Sequence, residues 1–341
     1  MKLRCSDSID LAKIILSLMV VAIHVPPARG GAYEILIPIL RTAVPIFFML
    51  SGYLLFGKIK DCTIEEKKSI VTNYIIRILK LYLSWFVILL PVTIIRGDYF
   101  VDGISVGILE ILKDFVLGST FPASWYLMAV VIGTILVFII SALKESCLSD
   151  SIVLVWGGIL YVLCCLLSNY RNVIGHTPLS ISYNIFNSFP VSIIWIELGK
   201  LFAEQKKVRL YTTRFRFCGA FICIIFLYIE QFVILHFKWG YTNDCYFMLV
   251  PCCIFIFSII ISGKIKIRNA KILRSISTIM YCLHLSIAII VNKVLIFFGV
   301  IETNFILWIK YIFVVAFCFV VAVLILKICN REKMRIVKYL F

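Results

Sequence analysis

Four side chains able to hold or move charge interrupt the first apolar run of the chain: Asp10, Lys13, Ser17 and His24. At about 100° per residue, His24 returns to within roughly 20° of Lys13, and Asp10 and Ser17 lie within about 60° of it, so one helical face carries all four. An ionisable group at mid-bilayer costs about 2.5–3.5 kcal/mol on insertion scales, so such a line is expected to face protein or a wet cavity instead of hydrocarbon. An imidazole can take up a proton near neutral pH, and an ammonium can hold an anion. Asp10 sits about 21 Å down the helix from His24, too far to orient its ring, and is read as the partner of Lys13 one turn away. Lys13 in turn lies about 16 Å from His24. Late in the chain, Ser277, Tyr281 and His284 repeat the pattern at i, i+4 and i+7.

Other polar groups fall inside apolar stretches. Arg77 and Lys80 are one turn apart, with Ser84 a further turn along the same face. A guanidinium and an ammonium so placed suit a phosphate, and snorkelling to the membrane surface is the alternative. Arg41 has the same alternative. Ser51-Gly52 lets another helix or a ligand approach the backbone closely. Trp125-Tyr126-Leu127 opens a segment where aromatic rings anchor helices at the headgroup level. Glu197 and Glu230-Gln231 are read as partners for buried cations or as lining of the same cavity. The 13 cysteines are scattered through apolar runs with no CxxC or Cys/His metal spacing, so they are expected to pack as small apolar residues and to hold no metal.

The elements that must position these groups follow from composition. With 62% hydrophobic and 15% charged residues in 341, the chain reads as an all-α, polytopic membrane helix bundle. Ten spans are expected, near 9–27, 36–56, 72–95, 124–143, 151–168, 183–203, 214–237, 245–262, 274–297 and 305–328. The net charge of +16 sorts by side. Basic clusters around 58–68, 206–214, 264–274 and 331–338 alternate with cation-poor loops, which places both termini in the cytosol and replaces a nucleic-acid reading of the charge. Lys13 within the first run and Pro26-Pro27 at its end argue against a cleaved signal peptide. The stretch 96–123 carries a short amphipathic helix read as interfacial or re-entrant. One membrane domain over 1–341, with no separate soluble domain, is the expected organisation.

The motifs resemble the bacterial acyltransferase-3 family of multi-pass O-acyltransferases, which includes O-antigen and enterobacterial common antigen acetyltransferases. Lys13 and His24 match its first-helix signature of a basic residue, ten residues, then histidine, with lysine where many members have arginine. Phe47-Phe48-Met49-Leu50-Ser51-Gly52-Tyr53-Leu54 matches its FF-x-x-SG-aromatic-L pattern. Arg77 and Lys80 resemble its cytosolic R-x-x-R pair, Trp125-Tyr126-Leu127 its W-aromatic-L element, and Tyr281-Cys282-Leu283-His284 its Y-x-x-H element.

The resemblance implies a membrane O-acyltransferase of the bacterial inner or plasma membrane. It would move an acyl group, commonly acetyl, from cytosolic acyl-CoA to a hydroxyl of a cell-surface or lipid-linked carbohydrate, with acyl-CoA as co-substrate and no bound cofactor. On this reading His24 is the general base; Lys13, Arg77 and Lys80 hold the donor; and Asp10, Ser17, Arg41, Ser51, Gly52, Trp125, Glu230, Tyr281 and His284 line or support the cavity. A transporter or flippase of a lipid-linked sugar or acyl donor is the main alternative, because a multi-helix bundle with a polar interior suits alternating access equally. A glycan polymerase and a purely structural subunit fit less well, the first for want of a large external loop and the second because of the ionisable stripes.

Overall fold

The computed structural model describes residues 7–96, 99, 103–143, 147–174, 185–204, 212–240, 242–332 and 340. Among these residues there is no strand. The helices in chain order are α1 (Asp7–His24), α2 (Gly31–Leu40), α3 (Ala43–Ile59), α4 (Ile64–Arg96), α5 (Ile104–Leu117), α6 (Trp125–Leu143), α7 (Cys147–Leu167), α8 (Arg171–Ile174), α9 (Ser192–Glu204), α10 (Thr213–His236), α11 (Leu249–Ser262), α12 (Ala270–Phe297) and α13 (Asn304–Glu332).

Seven helical stretches among the described residues are long and apolar enough to cross a membrane: Gly31–Ile59, Ile64–Thr93, Trp125–Ala142, Ser149–Leu167, Thr213–His236, Ala270–Phe297 and Asn304–Cys329. They coincide with seven of the ten expected spans. The other three expected spans are helices too, but α9 and α11 have 13 and 14 residues, and α1 has 18 residues that include Asp7, Asp10 and Lys13. The charges that mark α1 as interesting are also what keep it from reading as an ordinary span. Outward-facing side chains on α10 and α13, such as Phe221, Phe232, Ile312 and Leu324, are apolar and exposed, as lipid contact requires. The connection after α4 does carry a 14-residue amphipathic helix, α5, too short to span.

Local chemistry explains where helices break. α1 ends at His24 because Pro26-Pro27 follow, and proline can neither donate to the helical ladder nor let its predecessor stay helical. Pro45 has no N–H to offer the carbonyl of Arg41, so the 31–59 stretch breaks at Arg41-Thr42 and restarts as α3, with the first bond from Ile46 N–H to the Thr42 carbonyl.

The described residues group into two compact units, each discontinuous in sequence. The first comprises Arg41–Ile75 and Tyr126–Lys264. Here α3 packs along α9, α9 on α7, and α10 on α11. The α3–α9 contact is reciprocal: a Cβ at Gly52 would collide with the Ile196 carbonyl, and one at Gly199 with the Met49 carbonyl. Two glycines thus let the backbones approach as branched residues would not. Beside this contact, Lys200 is buried and bonded to Asp150 (2.6 Å), Ser141 (2.8 Å) and Glu197 (3.2 Å).

The second unit comprises Asp7–Leu40, Ile76–Trp125 and Ile265–Phe341. In it α1 packs along α12, and α12 on α13. The pairing is parallel and polar. The Asp10 carboxylate, 2% exposed, takes a two-pronged ion pair from Arg274, Nε to Oδ1 at 2.9 Å and Nη2 to Oδ2 at 3.0 Å. The guanidinium of Arg274, a residue assigned from sequence to a cytosolic loop end, thus bonds both oxygens, a contact that the expected Asp10–Lys13 pairing did not include. The Ser17 and Ser277 hydroxyls lie within hydrogen-bond distance of each other and of the Lys13 carbonyl, 2.8 and 2.9 Å from it, so one can donate to the carbonyl while the other donates to its fellow serine. At the start of α1, Asp7 Oδ2 and Ser8 Oγ accept the N–H groups of Ile267 and Ile265.

Two stability predictions follow from these contacts. Gly52→Ala should cost about 1–3 kcal/mol through overpacking, read as a lowered unfolding midpoint in detergent; an unchanged midpoint would mean α3 and α9 are not in backbone contact. Arg274→Ala removes both guanidinium bonds from the buried Asp10 carboxylate and should destabilise by somewhat less than the ~3–5 kcal/mol of a fully buried pair, because the Arg274 side chain is 38% exposed. The Asp10→Asn, Arg274→Met double variant should recover most of that loss, and additivity of the two single losses would deny the pairing.

Candidate active site

The two polar faces predicted from sequence, on α1 and on α12, meet within the second unit. Seven residues beyond Ser17 on α1 stands His24, and seven beyond Ser277 on α12 stands His284, so the register set by the serine pair carries the two imidazoles together. Their ring centroids lie 5.4 Å apart with the planes tilted by 38°. The two environments differ sharply. His24, the last residue of α1, is exposed, whereas His284 is fully buried.

His284 has a fixed tautomer. Its Nδ1 lies 2.7 Å from the Tyr281 carbonyl and 3.2 Å from that of Met280. Carbonyl oxygens only accept, so Nδ1 carries the hydrogen and, in the neutral ring, Nε2 is the acceptor. That Nε2 is buried and has no hydrogen-bond partner among the described residues. His24 has the complementary setting: its ring is open to an incoming molecule, and it stands at the C-terminal end of a helix, where the backbone dipole stabilises a positive charge by about 0.3–1 kcal/mol.

Tyr281 ties this face to the turn before α6. Its hydroxyl donates to the carbonyl of Ala123, whose φ of 65° is one that a side-chain-bearing residue adopts only when held there. The same turn is pinned by Tyr82, hydrogen-bonded to Thr120 at 2.6 Å, and by Thr93, donating to the Thr120 carbonyl at 3.3 Å. The backbone N–H of Trp125 donates to Ser119 Oγ (3.2 Å), starting α6 at the aromatic motif. Arg77 and Lys80 are both exposed on α4. Lys13 is half-buried on the seam between the serine pair and the Asp10–Arg274 ion pair.

The remaining candidates belong to the first unit. Ser51 donates back to the Phe47 carbonyl at 3.1 Å and also bonds the hydroxyl of Tyr126, whose ring packs on Phe48 at 4.6 Å and edge-on to Phe47. The FF-x-x-SG and W-Y-L motifs therefore converge through Phe47, Phe48, Ser51 and Tyr126. Arg41 pairs with Asp244 at 2.7 Å. Glu230 accepts from the Tyr170 hydroxyl and from the backbone N–H groups of Phe247 and Met248, which caps the start of α11. Gln231 accepts from Tyr246, and Glu197 pairs with Lys200.

Three participants escaped the sequence reading. Arg274 lies three residues before Ser277 on the same face of α12, a spacing that would have revealed it. Lys200 follows Glu197 at i+3. Lys310, nearly buried on α13, bonds Glu302 at 3.0 Å, and Arg29 pairs with the other oxygen of the same carboxylate. Among the described residues, no cluster of three or more His, Cys, Asp or Glu side chains could hold a metal ion, and no disulfide is formed.

Among curated proteins, the chain is 26% identical to an amino-acid racemase of Enterococcus faecalis over 354 aligned positions, covering 98% of this chain and 47% of that protein. It is 29% identical to a serine/alanine racemase of Enterococcus gallinarum over 135 positions, covering 38% of this chain and 19% of that protein. The chain thus spans about half the length, or less, of these relatives, and their names describe the longer proteins. No solved structure matches it. Residues 6–327 match the family model of an acyltransferase domain, the same family that the Lys13–His24 and Y-x-x-H spacings pointed to. With that match extending over nearly its whole length, the chain belongs to the acyltransferase-3 family of membrane acyltransferases.

Proposed function

We propose that this protein transfers an acyl group, commonly acetyl, from acyl-CoA to a hydroxyl of a cell-surface or lipid-linked carbohydrate, with His24 as general base. The observation that carries the reading is the His24–His284 pair: one exposed imidazole backed by one buried imidazole, at the end of a polar seam between α1 and α12. Neutral His24 takes the proton of the acceptor hydroxyl as its oxygen attacks the thioester carbonyl carbon. The C–O bond forms, the C–S bond breaks, and the proton passes to the departing thiolate, leaving an ester and the free thiol of CoA.

The donor side is assigned by charge. Arg77 and Lys80, exposed and one turn apart, suit the phosphates of CoA, and Lys13, about 16 Å along α1 from His24, is assigned to the donor path by its charge. The alternation of basic clusters with cation-poor loops supports cytosolic termini, a cytosolic donor entrance and residence in the bacterial inner or plasma membrane. Asp10 and Ser17 hold the seam in register. Ser51, Gly52, Arg41 and Glu230 support the helices of the other unit, and no role at the reacting atoms is assigned to them.

The racemase relatives favour one second reading. A chain similar over 135 positions to a protein named for serine and alanine would, on this reading, admit a small amino acid and move it across the bilayer without acyl transfer.

Proteoliposomes of the purified protein separate these readings. With radiolabelled acetyl-CoA and lipid-linked glycans, labelled ester should form, and His24→Ala should lower the rate by about 10²–10⁴-fold at unchanged protein abundance. Retained transfer in that variant would remove the proposed base, and uptake of labelled serine with no acylation of any acceptor would replace the enzymatic reading. Arg77→Ala with Lys80→Ala should raise the KM for acyl-CoA by roughly tenfold or more, about 1.4 kcal/mol, with kcat little changed. An unchanged KM would confine the two cations to topology.

A further inference from the structure

The buried acceptor nitrogen of His284 is left over by the mechanism above. We propose that His284 is the positioning residue for the His24 base: its Nε2 receives a hydrogen bond from a ring N–H of His24, directly or through one water, and turns the other nitrogen of His24 toward the incoming hydroxyl. This inference rests on the reading of His24 as base.

Three observations carry it. First, the tautomer of His284 is set by the backbone, because Nδ1 is engaged by the carbonyls of Tyr281 and Met280 and only Nε2 is left to accept. Second, that nitrogen is buried with no partner among the described residues, a condition that costs about 1–3 kcal/mol unless something donates to it. Third, the neighbouring ring is His24, at a centroid separation of 5.4 Å that lets facing ring nitrogens reach hydrogen-bond distance after rotation of the exposed imidazole. Burial is asymmetric in the useful sense. The base is where substrate can arrive, and the group that orients it is behind it, shielded from exchange with solvent.

The chemistry gains more than alignment. A neutral N–H···N bond becomes charge-assisted once His24 has taken the hydroxyl proton, so the contact strengthens as the reaction proceeds. His284 does this without gaining or losing a proton, since its Nδ1 hydrogen stays on the backbone carbonyls throughout. The arrangement follows the general logic of an activated base, in which a third group fixes the ring. A carboxylate would do so with a full charge; here the orienting group is neutral, as its apolar burial on α12 demands.

Two amides separate this role from simple packing. Asn at 284 can place a donor near the Nδ1 position but no acceptor where Nε2 stands, whereas Gln can place an oxygen there. His284→Asn should lower kcat by roughly 10–100-fold, the worth of one hydrogen bond to a charged group, with the KM for acetyl-CoA unchanged. His284→Gln should restore most of that loss. In the His24→Ala background, His284→Asn should cost nothing further. A readout independent of acyl transfer is carbethoxylation of His24 by diethyl pyrocarbonate, followed by peptide mass spectrometry: it should slow in His284→Asn and recover in His284→Gln. Wild-type kcat and reactivity in His284→Asn, or Gln no better than Asn in equally folded protein, overturns the proposal. If the reactivity order holds while no variant transfers acyl groups, the pairing stands and the base reading of His24 is what fails.

Discussion

A charged or hydrogen-bonding side chain inside an apolar slab must find its partner within the protein, and between α1 and α12 that constraint is met along one line. Asp10 with Arg274, Ser17 with Ser277 and His24 with His284 form a ladder between two parallel helices. The three rungs are of different kinds, an ion pair, a hydroxyl pair and an imidazole pair, but each occupies a position where a lipid-facing residue would be apolar. Asp10 and Ser17 are 2% and 1% exposed, so a bond lost from Arg274 or Ser277 is not cheaply replaced by water. The seam therefore sets the register of α1 on α12 far more narrowly than leucines could.

The same ladder that satisfies the polar groups places the histidines. From serine pair to histidine pair both helices advance by the same seven residues, so no distortion is needed to bring the rings together. α1 stops at His24 because prolines follow, which frees the ring from the crowding of a further turn and leaves it at the negative end of the helix. α12 continues past His284, which buries that ring and lets its own preceding turn hold Nδ1. On the reading of His24 as base, stability and chemistry are thus drawn from one set of contacts.

Much of this was legible from spacing. The polar face of α1 follows from 100° per residue, and the Ser277, Tyr281, His284 face follows from the same rule. The short amphipathic α5 was readable from its length and periodicity. What periodicity cannot supply is the partner across a gap. The i, i+3 spacing of Arg274 and Ser277 puts the guanidinium on the polar face of α12, but that it reaches Asp10 on another helix exists only in three dimensions. The span count shows the complementary limit: seven stretches meet length and hydropathy together, while α9 and α11 are too short to do so alone and α1 carries charges that its partner on α12 compensates. Gly52 was visible as a small residue, but its fit against the Ile196 carbonyl, reciprocal with that of Gly199 against the Met49 carbonyl, exists only in three dimensions.

Membership of the acyltransferase-3 family and half-length similarity to racemases frame the chain as a membrane unit that longer proteins also contain. Its central physical claim is that the polar face of α1 is turned onto α12. Oxidative cross-linking in native membranes tests it most directly, with Ser17→Cys and Ser277→Cys in one chain and Ile15→Cys with Ser277→Cys as the control from the exposed face of α1. The account predicts a 17–277 disulfide peptide at high yield and none from the control pair. Cross-linking from position 15, or none from position 17, would contradict it.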